Sequence, residues 1–296
     1  MIHDPVILFG TGRSGSTLFM NCIFRHRELA FFTNILERNP KWMWTNRLRS
    51  LTDNQYYRLF PEQLPKPFQK LFLKPVEGYS IWNELVGKEI DFSRSFIDNV
   101  NISDDLSSIV YTYIKNIIKT QERTRFAFKI TGPGRLELMD NLFPDAHLVW
   151  LKRRFIPTLS SFLNVEFWQK RATGELWWES PEIEEILSSL QSIKKDPVLF
   201  TTFQLQAIIS NIKRTINRLK LRVLEVNYRD FTANPNTLLM NTLEFCSLDQ
   251  DPCCFQFLQN SKISNRNKKD ESYFGRNKLK EIQDLRRLFK KKYGVE

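Results

Sequence analysis

Short apolar runs alternate with helical patterns along this chain. PVILF, near the start, is continuously apolar and ends at a glycine, which is typical of a buried strand. The segment GSTLFMNCIF that follows has a helical pattern, with Leu18 and Cys22 on its covered side. The pattern therefore predicts a strand, a glycine turn and a helix at the N-terminus.

The rest of the chain continues this alternation. Four further segments are strand-like: LAFFTN (29–34), RFAFKI (125–130), HLVWLK (147–152) and LRVLEV (221–226). Helical patterns in GRLELMDNLFPDA and over about 200–219 separate the last three, as in βαβ units. We expect an α/β fold of three layers over residues 1–296, similar to P-loop NTPases, with a central parallel sheet flanked by helices.

The composition changes between about residues 38 and 122. WMW, QYYRLF, LPKPFQKLF and YSIWNEL indicate short helices and aromatic-rich loops rather than strands. This segment separates the N-terminal strands from the next strand-like run. We therefore expect a helical insertion that forms a wall or lid of a substrate site.

Charge and cysteine content narrow the class of protein. Forty-four Lys+Arg against 33 Asp+Glu give a formal net charge of +11, which predicts an anionic partner: a phosphorylated cofactor, a nucleic acid or a membrane surface. The four cysteines lack metal-ligand spacing, so we expect a reduced interior and no metal. Because no apolar run approaches about 20 residues and a strand begins almost at once, we expect a cytoplasmic protein without membrane association.

The loop GTGRSGST after the first strand fits a dinucleotide-binding template. Gly10, Gly12 and Gly15 match G-x-G-x-x-G. That reading requires an acidic residue at the end of the next strand to hold the ribose. Thr33 and Asn34 stand there instead, which disfavours a dinucleotide.

The same loop also resembles a triphosphate-binding loop with one substitution. Ser16 stands where the phosphate-binding lysine belongs, and no apolar run ends in an Asp that could hold Mg²⁺. A kinase therefore remains the enzymatic alternative. A third ligand, a nucleotide with a sulfuryl group, needs less positive charge, and Arg13 with a ring of N–H donors could stabilise its in-line transfer.

The string FGTGRSGSTL resembles the 5′-phosphosulfate loop of sulfotransferases that use 3′-phosphoadenosine 5′-phosphosulfate (PAPS). The resemblance implies sulfuryl transfer to a small-molecule acceptor without a metal, leaving 3′,5′-adenosine diphosphate. It also implies that the donor is held by the loop residues Gly12, Arg13, Ser14, Gly15, Ser16 and Thr17.

A second segment, HLVWLKRRFIPTLSSFL, is similar to the family's 3′-phosphate site. There an arginine at a strand end is followed eight residues later by a serine, the spacing of Arg153 and Ser161. Arginine can make a forked, charge-assisted contact to phosphate. The family's usual Asp-Pro or Asn-Pro after the arginine is absent, so a register with Lys152 and Ser160 stays open.

Three other segments agree with the resemblance, so it covers most of the chain. KITGPGRLELMDNLFPDAHLVWL is similar to the family's stretch before the 3′-phosphate strand. VLEVNYRDFTANP is similar to the family's strand and helix at which a tyrosine lies by the nucleotide; this implies that role for Tyr228, although Arg229 replaces the usual acid. SNRNKKDESYFGRNKL loosely resembles the basic loop that covers the nucleotide, here at about 260–278, with Arg266, Asn267 and Lys268 as candidates.

The catalytic base has no obvious position. Some members of the family carry a Glu about 20 residues past the loop, where this chain has no acid. Our first candidate is Glu77, which lies among aromatic residues at the edge of the expected lid, and the second is Glu37. Lys129, at the end of a core strand, is expected to face the sulfonate or reach the rim. The catalytic candidates are therefore Arg13, Glu77, Glu37 and Lys129, with His26 and Glu84 less favoured.

The acceptor is predicted only in outline. Seven tryptophans and 24 phenylalanines suggest an aromatic pocket, and carboxylates in WQKRATGELWWE could face a cationic acceptor, such as a guanidinium alkaloid in natural product biosynthesis. A nucleic-acid-binding protein is the alternative from another class, but the basic residues are scattered and no nucleic-acid-binding motif is present.

Overall fold

A computed structural model of the chain describes residues 2–87, 91–98, 102–260, 263 and 271–294. Five parallel strands form one sheet in the order β2-β3-β1-β4-β5. The strands are β1 (Val6–Gly10), β2 (Leu29–Ala30), β3 (Arg125–Thr131), β4 (His147–Lys152) and β5 (Val223–Asn227). The predicted α/β class with a central parallel sheet is confirmed.

Helices connect the strands and cover both faces of the sheet. The α-helices are α1 (Ser16–Ile23), α2 (Asn34–Arg38), α3 (Tyr79–Val86), α4 (Asp104–Thr120), α5 (Leu136–Leu142), α6 (Phe155–Leu163), α7 (Glu166–Gln169), α8 (Pro181–Ser188), α9 (Pro197–Leu219), α10 (Tyr228–Ala233), α11 (Pro235–Phe245), α12 (Pro252–Asn260) and α13 (Arg276–Tyr293). Short 3-10 helices span Met43–Leu51, Pro61–Gln63, Phe68–Leu71, Gln191–Lys195 and Glu271–Phe274. Among the helices of the described residues, none combines the length and the apolarity that crossing a bilayer requires.

Two apolar cores lie on opposite faces of the sheet because successive strand residues point to opposite sides. Val6 and Leu8 of β1 pack with α1, α11 and α12 on one face. Ile7 and Phe9 pack with α4, α5, α6 and α9 on the other. Burial on both faces explains why β1 is continuously apolar rather than alternating.

The predicted strand over 29–34 is shorter than expected. Only Leu29 and Ala30 pair with β3, and the chain then leaves the sheet. Thr33 ends the extended segment because its hydroxyl accepts a hydrogen bond from Leu36 N (3.3 Å) and so caps α2. The local cap therefore outweighs the strand propensity of the two buried phenylalanines before it.

The segment between α2 and β3 contains short helices, α3 and the longer α4, which begins after the cap residue Ser103. A buried ion cluster centred on Asp53 holds it to the rest of the fold. Asp53 contacts Arg58 at 2.6 Å, Arg123 at 2.9 Å and Arg49 at 3.0 Å. Arg58 also pairs with Asp251, just before α12, at 2.7 Å.

Burial alone would raise the pKa of Asp53, but the three arginines outweigh it and lower that pKa to about 2. Asp53 is therefore ionised in the folded protein at all ordinary pH values. Such a buried cluster depends on every partner, since removing one leaves an uncompensated charge.

Candidate functional site

The loop from Thr11 to Gly15 joins β1 to α1 at the carboxyl edge of the sheet. Gly12, Arg13 and Gly15 have positive φ values of 79°, 54° and 83°. Gly15 is the N-cap of α1 and provides no side-chain cap, so the first N–H groups of the helix are available to an anion. A Cβ at Gly15 would lie 2.4 Å from Cδ2 of Tyr228, so this position requires glycine.

The predicted cofactor residues converge on this loop. Arg13 Nε donates to Ser161 Oγ of α6 (3.1 Å), and Arg153 Nη1 donates to the Arg13 carbonyl (2.9 Å). The Arg153 guanidinium also lies over the Tyr228 ring, 4.9 Å from its centroid. Residues that are distant in sequence therefore form one basic surface beside the N-terminus of α1.

The placement favours one of the two registers left open for the second segment. The Lys152 side chain pairs with Glu225 of β5 at 2.6 Å. Ser160 is fully buried. Arg153 and Ser161, by contrast, both contact Arg13 of the loop.

A second cluster lies next to the loop at the end of β3. Lys129 is buried (3% exposed), donates to Thr17 Oγ1 of α1 (3.1 Å) and pairs with Glu77 Oε1 (2.8 Å). Thr131 Oγ1 donates to the other oxygen of Glu77 (2.8 Å). Lys129 therefore neither reaches the rim nor stands alone, because it connects the loop helix to a carboxylate of the insertion.

Tyr79 extends this cluster into the insertion. Its hydroxyl donates to the carbonyl of Thr131 (2.5 Å) and accepts from the Thr131 N–H (3.0 Å). Burial and the nearby charge of Glu77 raise the pKa of Tyr79, so the phenol stays protonated. Under it lies Arg135, 1% exposed, whose pKa burial lowers to about 10.

Glu37, the second candidate base, lies close to the same cluster. Its Oε1 accepts from the backbone N–H (3.1 Å) and hydroxyl (3.2 Å) of Ser80 in α3. Burial raises the pKa of Glu37, and the charge of Glu77 raises it further, against the opposing bonds from Ser80. Glu37 thus joins α2 to α3, whereas Glu77 contacts the β3 end and Lys129.

A comparison with known protein families identifies the family of this chain. The profile of the sulfotransferase family matches residues 5–252. The chain belongs to the sulfotransferase family. The match spans the loop, the β3 and β4 ends, and Tyr228, and it confirms the family resemblance of those segments.

The chain is also similar to solved structures. The sulfotransferase STF9 from Mycobacterium avium is 13% identical with a TM-score of 0.58, over 100% of this chain and 78% of that one. The sulfotransferase domain of the Synechococcus PCC 7002 olefin synthase is 17% identical with a TM-score of 0.45, over 97% and 95%. Retinol dehydratase, solved in a complex with retinol and PAP, is 12% identical with a TM-score of 0.40, over 100% and 83%. No curated protein sequence matches the chain.

Other candidate residues of the sulfotransferase lie away from the edge or outside the described residues. His26 is 1% exposed and its Nε2 contacts the carbonyl of Asp249 (2.9 Å), so its side chain does not cap α1. Glu84 is exposed on α3. Arg266, Asn267 and Lys268 fall outside the described residues.

Most tryptophans are not arranged as an acceptor pocket. Trp82 and Trp168 are fully buried, whereas Trp42 and Trp44 are 50% and 62% exposed. Trp178 is also buried and stacks on Trp168, with ring centroids 4.9 Å apart. Its indole Nε1 would lie 2.7 Å from a Cβ on Gly132, so the ring packs against the turn directly after β3.

Sequence reasoning missed Thr131, Tyr79 and Arg135. Thr131 and Tyr79 contact Glu77 or each other, and Arg135 supports Tyr79 from beneath. The available signal was a hydroxyl at the end of a core strand followed by a Gly-Pro-Gly turn, which the sequence shows as TGPG. Nothing in the sequence indicated that KPVEGYS would fold back onto it.

Proposed function

We propose that this protein transfers a sulfuryl group from PAPS to a hydroxyl or amine of a small molecule. The observation that carries the proposal is the convergence of Arg13, Arg153 and Ser161 on the loop, next to the Glu77–Lys129 pair. An anion site and a carboxylate able to take up a proton lie at one edge, which is what sulfuryl transfer between two ligands needs.

The loop fits the phosphosulfate end of PAPS. The first turn of α1 has no side-chain cap, and the buried Ser14 Oγ has no hydrogen-bond partner among the described residues. Gly10 serves the packing of β1 against β4, since a Cβ there would lie 2.6 Å from the Leu151 carbonyl. When bound, PAPS supplies an activated sulfuryl group and leaves as 3′,5′-adenosine diphosphate.

The other cofactor candidates suit the rest of the nucleotide. Arg153 and Ser161 would hold the 3′-phosphate through charge-assisted hydrogen bonds. Tyr228, already stacked on Arg153, would flank the adenine end. Arg266, Asn267 and Lys268 stay candidates for the same nucleotide.

Glu77 is our candidate for the base that accepts the proton of the acceptor. Lys129 keeps it close to Thr17 and therefore to the phosphosulfate end. Thr131 orients the carboxylate through its second oxygen, and Tyr79 fixes Thr131 from the other side. Arg13 would stabilise negative charge that develops on the sulfuryl oxygens and the leaving phosphate.

A kinase, the enzymatic alternative, is less well supported. Triphosphate chemistry uses a loop lysine and usually a strand-end Asp for the metal. Ser16 stands at the lysine position, and the β3, β4 and β5 strands end in Thr131, Lys152 and Asn227. The sulfotransferase proposal needs neither feature.

Of the three carboxylates in or beside WQKRATGELWWE, Glu175 is exposed and the other two are already paired. Glu179 pairs with Arg94 (3.0 Å), and Glu166 pairs with Lys170 (3.4 Å). The Trp177 ring is covered by Arg171, 4.2 Å from its centroid. We therefore propose a small alcohol or amine as the acceptor class, without a guanidinium requirement.

The test is incubation of the protein with PAPS and a panel of hydroxyl and amine metabolites, with products read by mass spectrometry. We expect acceptor-dependent formation of a sulfated product together with 3′,5′-adenosine diphosphate. Glu84→Gln, an exposed carboxylate of the insertion, is the control that should behave like the wild type. Turnover of Mg²⁺-ATP with no turnover of PAPS would replace this proposal by the kinase.

A further inference from the structure

A cavity of about 200 Å³ lies beside the cofactor loop, on the far side of the β4 end. It is bordered by Thr11 of the loop, by the end of β4 and by α6, α9 and α13. Its apolar wall includes Trp150, Phe155 and Leu205. Its basic wall consists of Lys152, Arg153, Lys213, Arg286 and Lys290.

The basic wall is built from separate elements rather than from one charged helix face. Lys152 and Arg153 come from the β4 end, Lys213 from α9, and Arg286 and Lys290 from α13. Among the described residues none that lines the cavity is acidic. A solvated basic surface would direct these side chains apart, whereas here they surround one space.

Arg286 is held rigidly in this wall. Its guanidinium lies over the Phe155 ring, 4.1 Å from the centroid, and its Nε donates to Gln206 Oε1 (3.0 Å). Gln206 is 2% exposed, and its Nε2 donates in turn to Ser210 Oγ (3.2 Å). Stacking plus a buried hydrogen bond fixes the remaining donors of the guanidinium before any ligand arrives.

The cations also repel one another. Burial lowers the pKa of Lys213, and the charges of Lys152 and Lys290 lower it further, with Glu225 opposing them. Glu225 already pairs with Lys152 at 2.6 Å. A bound anion would relieve this repulsion, because opposite charge favours the protonated form of each lysine.

We propose that this cavity is a second anion-binding site, which takes a small molecule bearing a phosphate or sulfate group. The anionic group would contact Lys213, Arg286 and Lys290, and the apolar part of the ligand would lie against Trp150 and Phe155. Glu77, Ser161 and Arg13 do not line the cavity, so this site stands apart from the transfer chemistry.

Thr11, the first residue of the cofactor loop, also lines the cavity. The side chain that joins the two sites is that of Arg153, which lines the cavity and donates to the Arg13 carbonyl in the loop. Occupancy of the second site is therefore expected to change the affinity for the nucleotide through this shared side chain. Anion binding in the cavity is expected whichever nucleotide the loop binds.

The test is calorimetric titration of the full chain with inorganic pyrophosphate and, separately, with inorganic sulfate, in the presence of saturating 3′,5′-adenosine diphosphate. We expect saturable binding of at least one probe. The probe with the lower Kd shows whether the cavity prefers a phosphate or a sulfate group. Lys213→Gln combined with Lys290→Gln should raise Kd about tenfold or more, because two charge-assisted contacts are lost. The matched control, Lys291→Gln with Lys292→Gln on the same helix end, should stay within about twofold.

Two results would overturn the proposal. One is the absence of saturable binding of both probes to the wild type, and the other is an equal rise in Kd for the control pair. If the double variant does not fold, Lys290→Gln alone replaces it, since Lys290 is exposed. A separate titration with 3′,5′-adenosine diphosphate alone measures nucleotide binding. A wrong cofactor assignment shows there as absent binding, while the difference between the two lysine pairs still tests the cavity.

Discussion

The two halves of the carboxyl edge are built in different ways. The cofactor half is made of strand ends and the turns that follow them, with Arg13 after β1 and Arg153 after β4. The acceptor half joins β3 to an insertion, through Glu77 and Tyr79 on one side and Lys129 and Thr131 on the other.

The two halves derive their geometry from different parts of the fold. A glycine loop and a helix N-terminus bind an anion through backbone groups, so the cofactor half needs few particular side chains. The acceptor half depends on how a separate segment docks. Changes at Glu77 should therefore affect catalysis while sparing nucleotide binding, and changes at the loop should affect both.

The largest effect is expected for Glu77→Gln. Loss of a general base typically lowers turnover by about 100- to 10,000-fold. The affinity for 3′,5′-adenosine diphosphate should stay within about threefold, because Glu77 contacts Lys129 and Thr131 rather than the loop. Steady-state rates and calorimetry on the same preparations measure both. Unchanged turnover would remove Glu77 from the mechanism.

The next effect is expected for Arg13→Ala, which breaks the cofactor half. Removal of one donor to developing charge lowers turnover by about 100- to 1,000-fold. Unlike Glu77→Gln, this change should also weaken nucleotide binding, since Arg13 connects Ser161 to the loop. Arg13→Lys keeps the charge and should restore part of both losses. A turnover defect with full nucleotide affinity would contradict this division.

Much of the cofactor half could be predicted from the sequence because it follows from local patterns. The apolar runs predicted β1, β3 and β4, and the resemblance to the family's 3′-phosphate segment pointed to Arg153 and Ser161, which meet at Arg13. No sequence pattern showed that these residues contact one another. The contact follows because neighbouring parallel strands end at the same edge of the sheet.

The acceptor half could be predicted only in part. Glu77 was favoured for its aromatic surroundings, yet its contacts to Lys129 and Thr131 depend on the docking of about 80 residues of insertion. The Asp53 cluster was missed as well: Arg49 and Arg58 are close to Asp53 in sequence, but Arg123 and Asp251 join the cluster only through the fold. Non-local ion pairs leave no periodic signal.

Asp53→Asn tests whether this cluster holds the insertion in place. It leaves three buried arginines without their shared carboxylate, so we expect a loss of about 3 kcal/mol in the free energy of unfolding at pH 7. The wild-type contribution is present above pH 4 and is lost as the pH falls towards the folded pKa of about 2. Urea unfolding of both proteins between pH 2 and 7 measures this.

Convergence of the two stability curves at low pH is the expected sign of the cluster. A constant difference down to pH 2 would show that Asp53 acts through packing rather than through its charge. Nucleotide affinity of the folded Asp53→Asn protein should change less than acceptor turnover, because the cluster holds the insertion and not the loop.

The smallest effect is expected for Glu37→Gln. The amide oxygen can still accept both bonds from Ser80, so turnover should fall by less than about tenfold. Because burial raises the folded pKa of Glu37, ionisation costs stability as the pH rises through that pKa, and the variant should become relatively more stable there. Thermal melts from pH 5 to 8 detect this, and a larger turnover loss than Glu77→Gln would exchange the two roles.

The most direct test of the cofactor assignment is calorimetric titration of 3′,5′-adenosine diphosphate into the wild type, Arg153→Ala and Arg154→Ala. Arg154 is the exposed neighbour and serves as the matched control. The account predicts one saturable site in the wild type, a rise in Kd of about 10- to 100-fold for Arg153→Ala, and little change for Arg154→Ala. No binding by the wild type, or equal affinities of all three proteins, would contradict it.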